Sequence, residues 1–220
     1  MDIVQIIMLA TAAGVGFMIY KQIDSGNFQQ VRKDNPSQPS QGTAAAPTAQ
    51  EKIEQSKKAN EQHKQQRIEE LLEKTDTLVS EQNFKEAKKS IEAALILQQN
   101  SDNYMREGFI LQQLDQKQDA LGSYSKALEY DAHNDLAYTF MGELYTQLEN
   151  YDKAAEAFEN ALGIDSSHGK THLAYATMLQ KAGQFQKAMQ HLDKAKEYDA
   201  DAQEIEQLQK EIKEKTDEKN

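Results

Sequence analysis

A small residue and a large one recur through this chain 34 residues apart, and that spacing limits the fold more than any other feature. Gly108, Ala120, Tyr124 and Ala127 return as Gly142, Ala154, Phe158 and Ala161, and again as Ala176, Ala188, Leu192 and Ala195. Thirty-three residues before the first set stand Thr75, Ala87, Ile91 and Ala94, a weaker copy. The blocks are therefore 101–134, 135–168 and 169–202, preceded by a degenerate block at 68–100. A period of this length marks stacked units that cannot bury an apolar face alone but share a continuous core with their neighbours. The small residues belong where two helices cross, and the large one fills the gap beside them. Between the helices, Gln82-Asn83, Glu149-Asn150 and Ala182-Gly183 offer Asn or Gly for a left-handed helix end. Phe84, Tyr151 and Phe185 follow as apolar anchors. After Ala202, Ile205, Leu208 and Ile212 repeat on one helical face amid polar residues, which predicts a helix capping the last unit.

These residues resemble the tetratricopeptide repeat, a helix-turn-helix unit. Its pattern asks for a large apolar residue at position 4, a small one at 8, an apolar or aromatic one at 11, Ala at 20, an aromatic at 24 and Ala at 27. The block from 135 meets it throughout, with Tyr138, Gly142, Tyr145, Ala154, Phe158 and Ala161. The block from 169 departs at His172 and Leu192. The usual Pro at position 32 is replaced by Ala132, Ser166 and Ala200, which predicts softer helix ends. The resemblance implies an all-α solenoid with a groove lined by the first helix of each repeat, and a role in protein binding without catalysis. Family groove positions fall on Met105, Phe109 and Gln112, then Leu136, Thr139 and Glu143, then Lys170, Leu173 and Thr177. Arg106 and Phe140 stand at the groove edge. Chaperone-binding members grip a peptide carboxylate with a Lys/Asn/Arg clamp; Lys170 and Arg106 are present but the Asn is not. Met105, Phe109, Leu136, Phe140 and Leu173 then read as an apolar strip suited to an amphipathic helix or an extended peptide. In the competing reading, Phe109 and Phe140 pack against neighbouring helices.

Ahead of the repeats, Ile3 to Tyr20 runs without a charge. As a helix it would reach about 27 Å, close to the roughly 30 Å hydrocarbon core. A cleaved signal peptide competes through Ala10-Thr11-Ala12, but Asp2 precedes the run, no Lys or Arg does, and the run continues past the site. Residues 1–23 are thus expected to be a single transmembrane anchor. Lys21, Arg32 and Lys33 follow it, placing the repeats in the cytoplasm, with the opposite, envelope-facing orientation as the alternative. Small residues four apart, Ala10–Gly14 and Ala12–Gly16, would permit self-association of the anchor. Residues 24–50 hold all three prolines among Gln, Ser and Ala and read as a disordered linker. Residues 51–67 read as a polar lead-in helix, and residues 203–220 as the capping helix and tail.

Charge is segregated. The chain has 25 Lys and Arg against 36 Asp and Glu. Residues 68–202 hold 13 basic and 24 acidic side chains, whereas 51–67 hold five basic and three acidic ones. An acidic repeat block without a basic stripe argues against nucleic acid as a partner. No cysteine is present, so thiolate metal and redox chemistry is excluded. His168 and His172 have a spacing that can hold a metal, but His172 occupies a packing position and His168 a turn. No metal, cofactor or catalytic residue is expected. The chain reads as a membrane-tethered adaptor that holds a protein partner in its groove. Assistance to secretion or assembly machinery from the envelope side, or homo-oligomeric scaffolding through the anchor, are the alternatives.

Overall fold

The computed structural model describes residues 48–217, and the chain divides into two units after Thr48. The expected anchor, and the linker up to residue 47, lie outside the described residues. No helix among the described residues is long and apolar enough to cross a membrane.

The described residues of the second unit form helices joined by short turns. A long α1 (Ala49–Ser80) pairs with α2 (Phe84–Leu97). Three further pairs follow: α3 (Ser101–Gln113) with α4 (Lys117–Tyr130), α5 (Asp135–Gln147) with α6 (Tyr151–Ile164), and α7 (Gly169–Lys181) with α8 (Phe185–Glu197). The last helix, α9 (Ala202–Asp217), packs Ile205, Leu208 and Ile212 against α8 and α7. Each pair meets the next mainly through its second helix, and α5 also meets α7 directly. The first helices of the three well-formed pairs begin at Ser101, Asp135 and Gly169, in step with the 34-residue period. In the degenerate block, helix and lead-in fuse. Residues 49–67 and the first repeat helix form one continuous α1, buried only from Ile68 onward.

Packing follows the repeat. Tyr124 and Phe158 are fully buried, each against the glycine of its own pair. Each also stacks on the next pair: Tyr124 on Phe140 at 5.5 Å between centroids, and Phe158 on Tyr175 at 5.3 Å. The large residue at position 24 therefore closes the crossing within a pair and joins two pairs.

The turns differ from expectation in one detail. Within the pairs the left-handed residues are Gln82, Asp115, Glu149 and Gly183, not Asn83 or Asn150, and Asp199 is left-handed between α8 and α9. At Glu149 the Asn150 N–H reaches back to the Tyr145 carbonyl at 2.9 Å and the Glu149 N–H to Thr146 at 3.1 Å. This is a Schellman closure, so Glu149 carries the strained backbone. Asn150 is thereby freed to cap α6, accepting from the Lys153 N–H at 3.3 Å. The missing prolines are offset in the same way. Asn100 and Asn134 cap α3 and α5, and the Asp131 and Asp165 carboxylates accept the N–H groups of His133 and Ser167.

Candidate functional site

The face built by the first helices carries two clefts of different chemistry. The first, about 310 Å³, lies across α1, α3 and α5 and is lined by Val79, Met105, Phe109, Ile110 and Phe140, with Thr75, Asp76 and Arg106. Its apolar character has a local cause. Residues four apart on α3, Met105 and Phe109, project together, and Phe140 joins them from α5. Arg106 and Asp76 form an ion pair across the mouth between α3 and α1. Both aromatics also touch their own scaffold, since Phe109 meets Phe84 edge-on at 6.5 Å and Phe140 stacks on Tyr124. They remain half-buried, so each has a packed side and a solvent side.

The second cleft, about 580 Å³, is polar and lies across α5, α7 and the start of α9. Glu143, Thr146, Lys170, Leu173, Thr177 and Lys181 line it, and Asp201 and Glu204 close one end. Burial lifts the Glu143 carboxyl above its ordinary range, and a hydrogen bond from the Gln112 amide pulls it part of the way back. The Gln112 carbonyl in turn accepts the Tyr124 hydroxyl at 3.1 Å. Tyr124 is held far from ionisation, first by burial and then by the Glu143 charge. This Tyr124–Gln112–Glu143 chain runs between the two clefts.

The structure brings Met105, Arg106, Phe109 and Phe140 together in the first cleft, and Glu143, Lys170, Leu173 and Thr177 in the second. The five apolar residues do not form one strip. Leu173 is nearly buried in the polar cleft, while Leu136 is 43% exposed on the first turn of α5 and lines neither cleft. Thr139 differs most. It is buried, and its hydroxyl lies 2.8 Å from that of Thr171, joining α5 to α7 inside the stack. Gln112 bridges the clefts instead of lining one. Sequence reasoning missed Asp76 and Val79, which the same 33-residue offset from Phe109 and Gln112 would have found. It also missed Asp201, at the very end of the last block, and Glu204, which enters from the capping helix.

The two histidines four apart are not partners. His168 Nδ1 lies 3.2 Å from the Asp135 carboxylate and 3.0 Å from the Thr171 hydroxyl. His172 is buried, its Nε2 at 3.1 Å from the Ser166 carbonyl and its Nδ1 at 3.0 Å from that of His191. Burial lowers the His172 pKa, and lowers that of His191 to about 4 with help from the neighbouring His172. Among the described residues, no group of three or more His, Asp or Glu side chains is placed to hold a metal.

Comparison with known proteins gives the same architecture. Residues 146–212 match the family model of the tetratricopeptide repeat. The chain is 33% identical over 106 residues to BBSome complex member BBS4 of Bos taurus, covering 48% of this chain and 20% of that protein. It is 32% identical over 76 residues to Protein bimA of Emericella nidulans, covering 34% of this chain and 9% of that one. The chain thus spans a fifth or less of the curated relatives it matches. Among solved structures, YrrB, described as a TPR protein with an unusual peptide-binding site, aligns with a TM-score of 0.56 at 24% identity. That alignment covers 62% of this chain and 71% of that one. MamA from Desulfovibrio magneticus RS-1 aligns at 0.62 and 14% identity, over 69% and 86%. The TPR2B domain of yeast Sti1, solved in complex with an Hsp70 peptide, aligns at 0.51 and 17%, over 52% and 97%. At these identities the likeness is one of fold.

Proposed function

We infer that this chain, an all-α tetratricopeptide-repeat solenoid over its described residues, is a non-catalytic adaptor that holds a protein partner and is tethered to a membrane by residues 1–23. The carrying observation is the cleft in which Met105, Phe109 and Phe140 meet beneath the Arg106–Asp76 pair. Its size suits one or two large apolar side chains of a peptide or amphipathic helix, and the polar cleft beyond Gln112 takes the partner's polar flank. Support for a peptide-like partner comes from YrrB, a TPR protein with an unusual peptide-binding site, and from the Sti1 domain, solved in complex with an Hsp70 peptide. The tether rests on the uncharged run Ile3–Tyr20, and the cytoplasmic side on Lys21, Arg32 and Lys33.

The deciding experiment is capture of partners by the intact anchored chain, with and without Phe109→Ala and Phe140→Ala, read by mass spectrometry. Loss of specific partners with helicity retained supports the cleft as the working surface. Undiminished capture of every partner moves the function elsewhere. Reporter fusions to the C-terminus distinguish the cytoplasmic orientation from the envelope-facing one.

A further inference from the structure

The basic stretch just ahead of the repeats, residues 51–67, plays no part in the partner cleft. In the structure it is the first half of α1, and every side chain from Glu51 to Arg67 is exposed. At about 100° per residue its charges separate into two faces. Lys52, Lys57, Lys64 and Arg67 fall within an arc of about 140°, with His63 and the exposed Ile53 inside the same arc. Glu51, Glu54 and Glu61 all lie outside that arc, together with Lys58. Nothing in the repeat core requires this sorting, because the core begins at Ile68.

We propose that residues 51–67 rest against an anionic lipid surface through the face carrying Lys52, Lys57, Lys64 and Arg67. The proposal rests on the reading of residues 3–20 as an anchor. Charge complementarity selects the occupant. A basic helix face interrupted by one apolar side chain suits anionic headgroups, toward which each cation close to the surface is attracted. The net charge of the whole chain points the other way, but distance and screening decide in favour of the local face. A helix with side chains is about 10–12 Å across, beyond the screening length of about 8 Å at physiological salt, so Glu51 on the opposite side is largely hidden from the surface, while Glu54 and Glu61 flank the arc and only partly offset its four cations. Existing ion pairs do not hold the basic face back. Lys64 sits 4.0 Å from Glu61 and Arg67 3.2 Å from Glu70, all at exposed positions where such pairs contribute little.

The natural chain has no cysteine, so single reporters are clean. Asn60→Cys lies inside the basic arc and Gln65→Cys outside it; each is labelled with an environment-sensitive dye in the full-length chain. The labelled chain is reconstituted into vesicles of phosphatidylcholine alone and of phosphatidylcholine with phosphatidylserine. On the phosphatidylserine vesicles, quencher access at Asn60→Cys falls roughly tenfold, Gln65→Cys stays accessible, and shortening the screening length to about 3 Å with salt restores access. Changing Lys52, Lys57, Lys64 and Arg67 together to Gln removes the protection. Equal access on both lipids overturns the proposal. So does protection that appears without vesicles and grows with protein concentration, which would assign the face to a second, acidic copy. Failure of the anchor reads differently: the chain then does not float with neutral vesicles at all, while recruitment to phosphatidylserine vesicles still reports on the helix.

Discussion

Gly142 lies so close to the Phe158 ring that a Cβ placed on it would stand 2.8 Å from the ring's Cε1. The same relation holds between Gly108 and Tyr124, where the distance would be 2.5 Å. In the other two pairs the ring is absent and the small residue grows: Ala176 faces the Leu192 pair position, and Thr75 that of Ile91. Where the ring gives way to an aliphatic side chain, the small position is thus free to carry a Cβ, as close packing allows.

That relation yields a coupled prediction. Gly142→Ala gains about 1 kcal/mol of helix propensity but overpacks the crossing by roughly 1–3 kcal/mol, for a net loss. Adding Phe158→Leu, which copies the Ala176/Leu192 solution, relieves the clash. A double-mutant cycle from thermal or urea unfolding should show a favourable coupling of about 1 kcal/mol or more. Additive effects would mean the ring moves aside freely.

A second prediction concerns the turns. Glu149 holds φ at 56° with a side chain that disfavours it, so Glu149→Gly should stabilise by about 0.5–1 kcal/mol. Gly183 sits at φ 74°, and Gly183→Ala should cost about 1 kcal/mol. Opposite shifts in the urea midpoint check both.

The buried His172–His191 contact sets a pH dependence. His191 falls from an ordinary 6.5 to about 4 in the folded chain, and His172 is also lowered. Between those values the unfolded chain binds more protons, so stability is full above about pH 6.5 and declines as pH falls toward 4. Glu143, raised by burial, acts with the opposite sign, and Glu143→Gln removes its contribution. His191→Gln should flatten the thermal midpoint between pH 6.5 and 4; an unchanged slope would exclude the histidine pair as its source.

For the cleft, loss of a buried aromatic anchor of about 2 kcal/mol weakens binding several tens-fold, so Phe109→Ala and Phe140→Ala should each show it. Phe140→Leu separates roles, because it keeps much of the packing against Tyr124 while reshaping the cleft wall. Salt should weaken capture only modestly, since the contact is apolar.

The anchor reading predicts that the full-length chain resists alkaline carbonate, while a chain starting near Glu51 is released into solution. Release of the full-length chain by alkali would overturn it.

Much of this architecture is legible from spacing. The 34-residue recurrence of Gly or Ala with a large partner fits crossed helices, and the first helices start in step with it at Ser101, Asp135 and Gly169. The cap was legible for the same reason, because Ile205, Leu208 and Ile212 share a stripe with nothing else to cover it. Tertiary structure decided what periodicity cannot carry. Thr139 shares the groove-facing register but is turned into the stack by the hydroxyl of Thr171, a residue of the next repeat. One continuous strip of apolar positions became two clefts because Gln112, Tyr124 and Glu143 meet between them. Asp76, Val79, Asp201 and Glu204 reached the clefts from the degenerate first pair and from the cap, the two places where the repeat pattern is weakest or ends. Position along a repeat determines which helix face a residue occupies, but the side chains that meet it across the stack determine whether that face is core, bridge or binding surface.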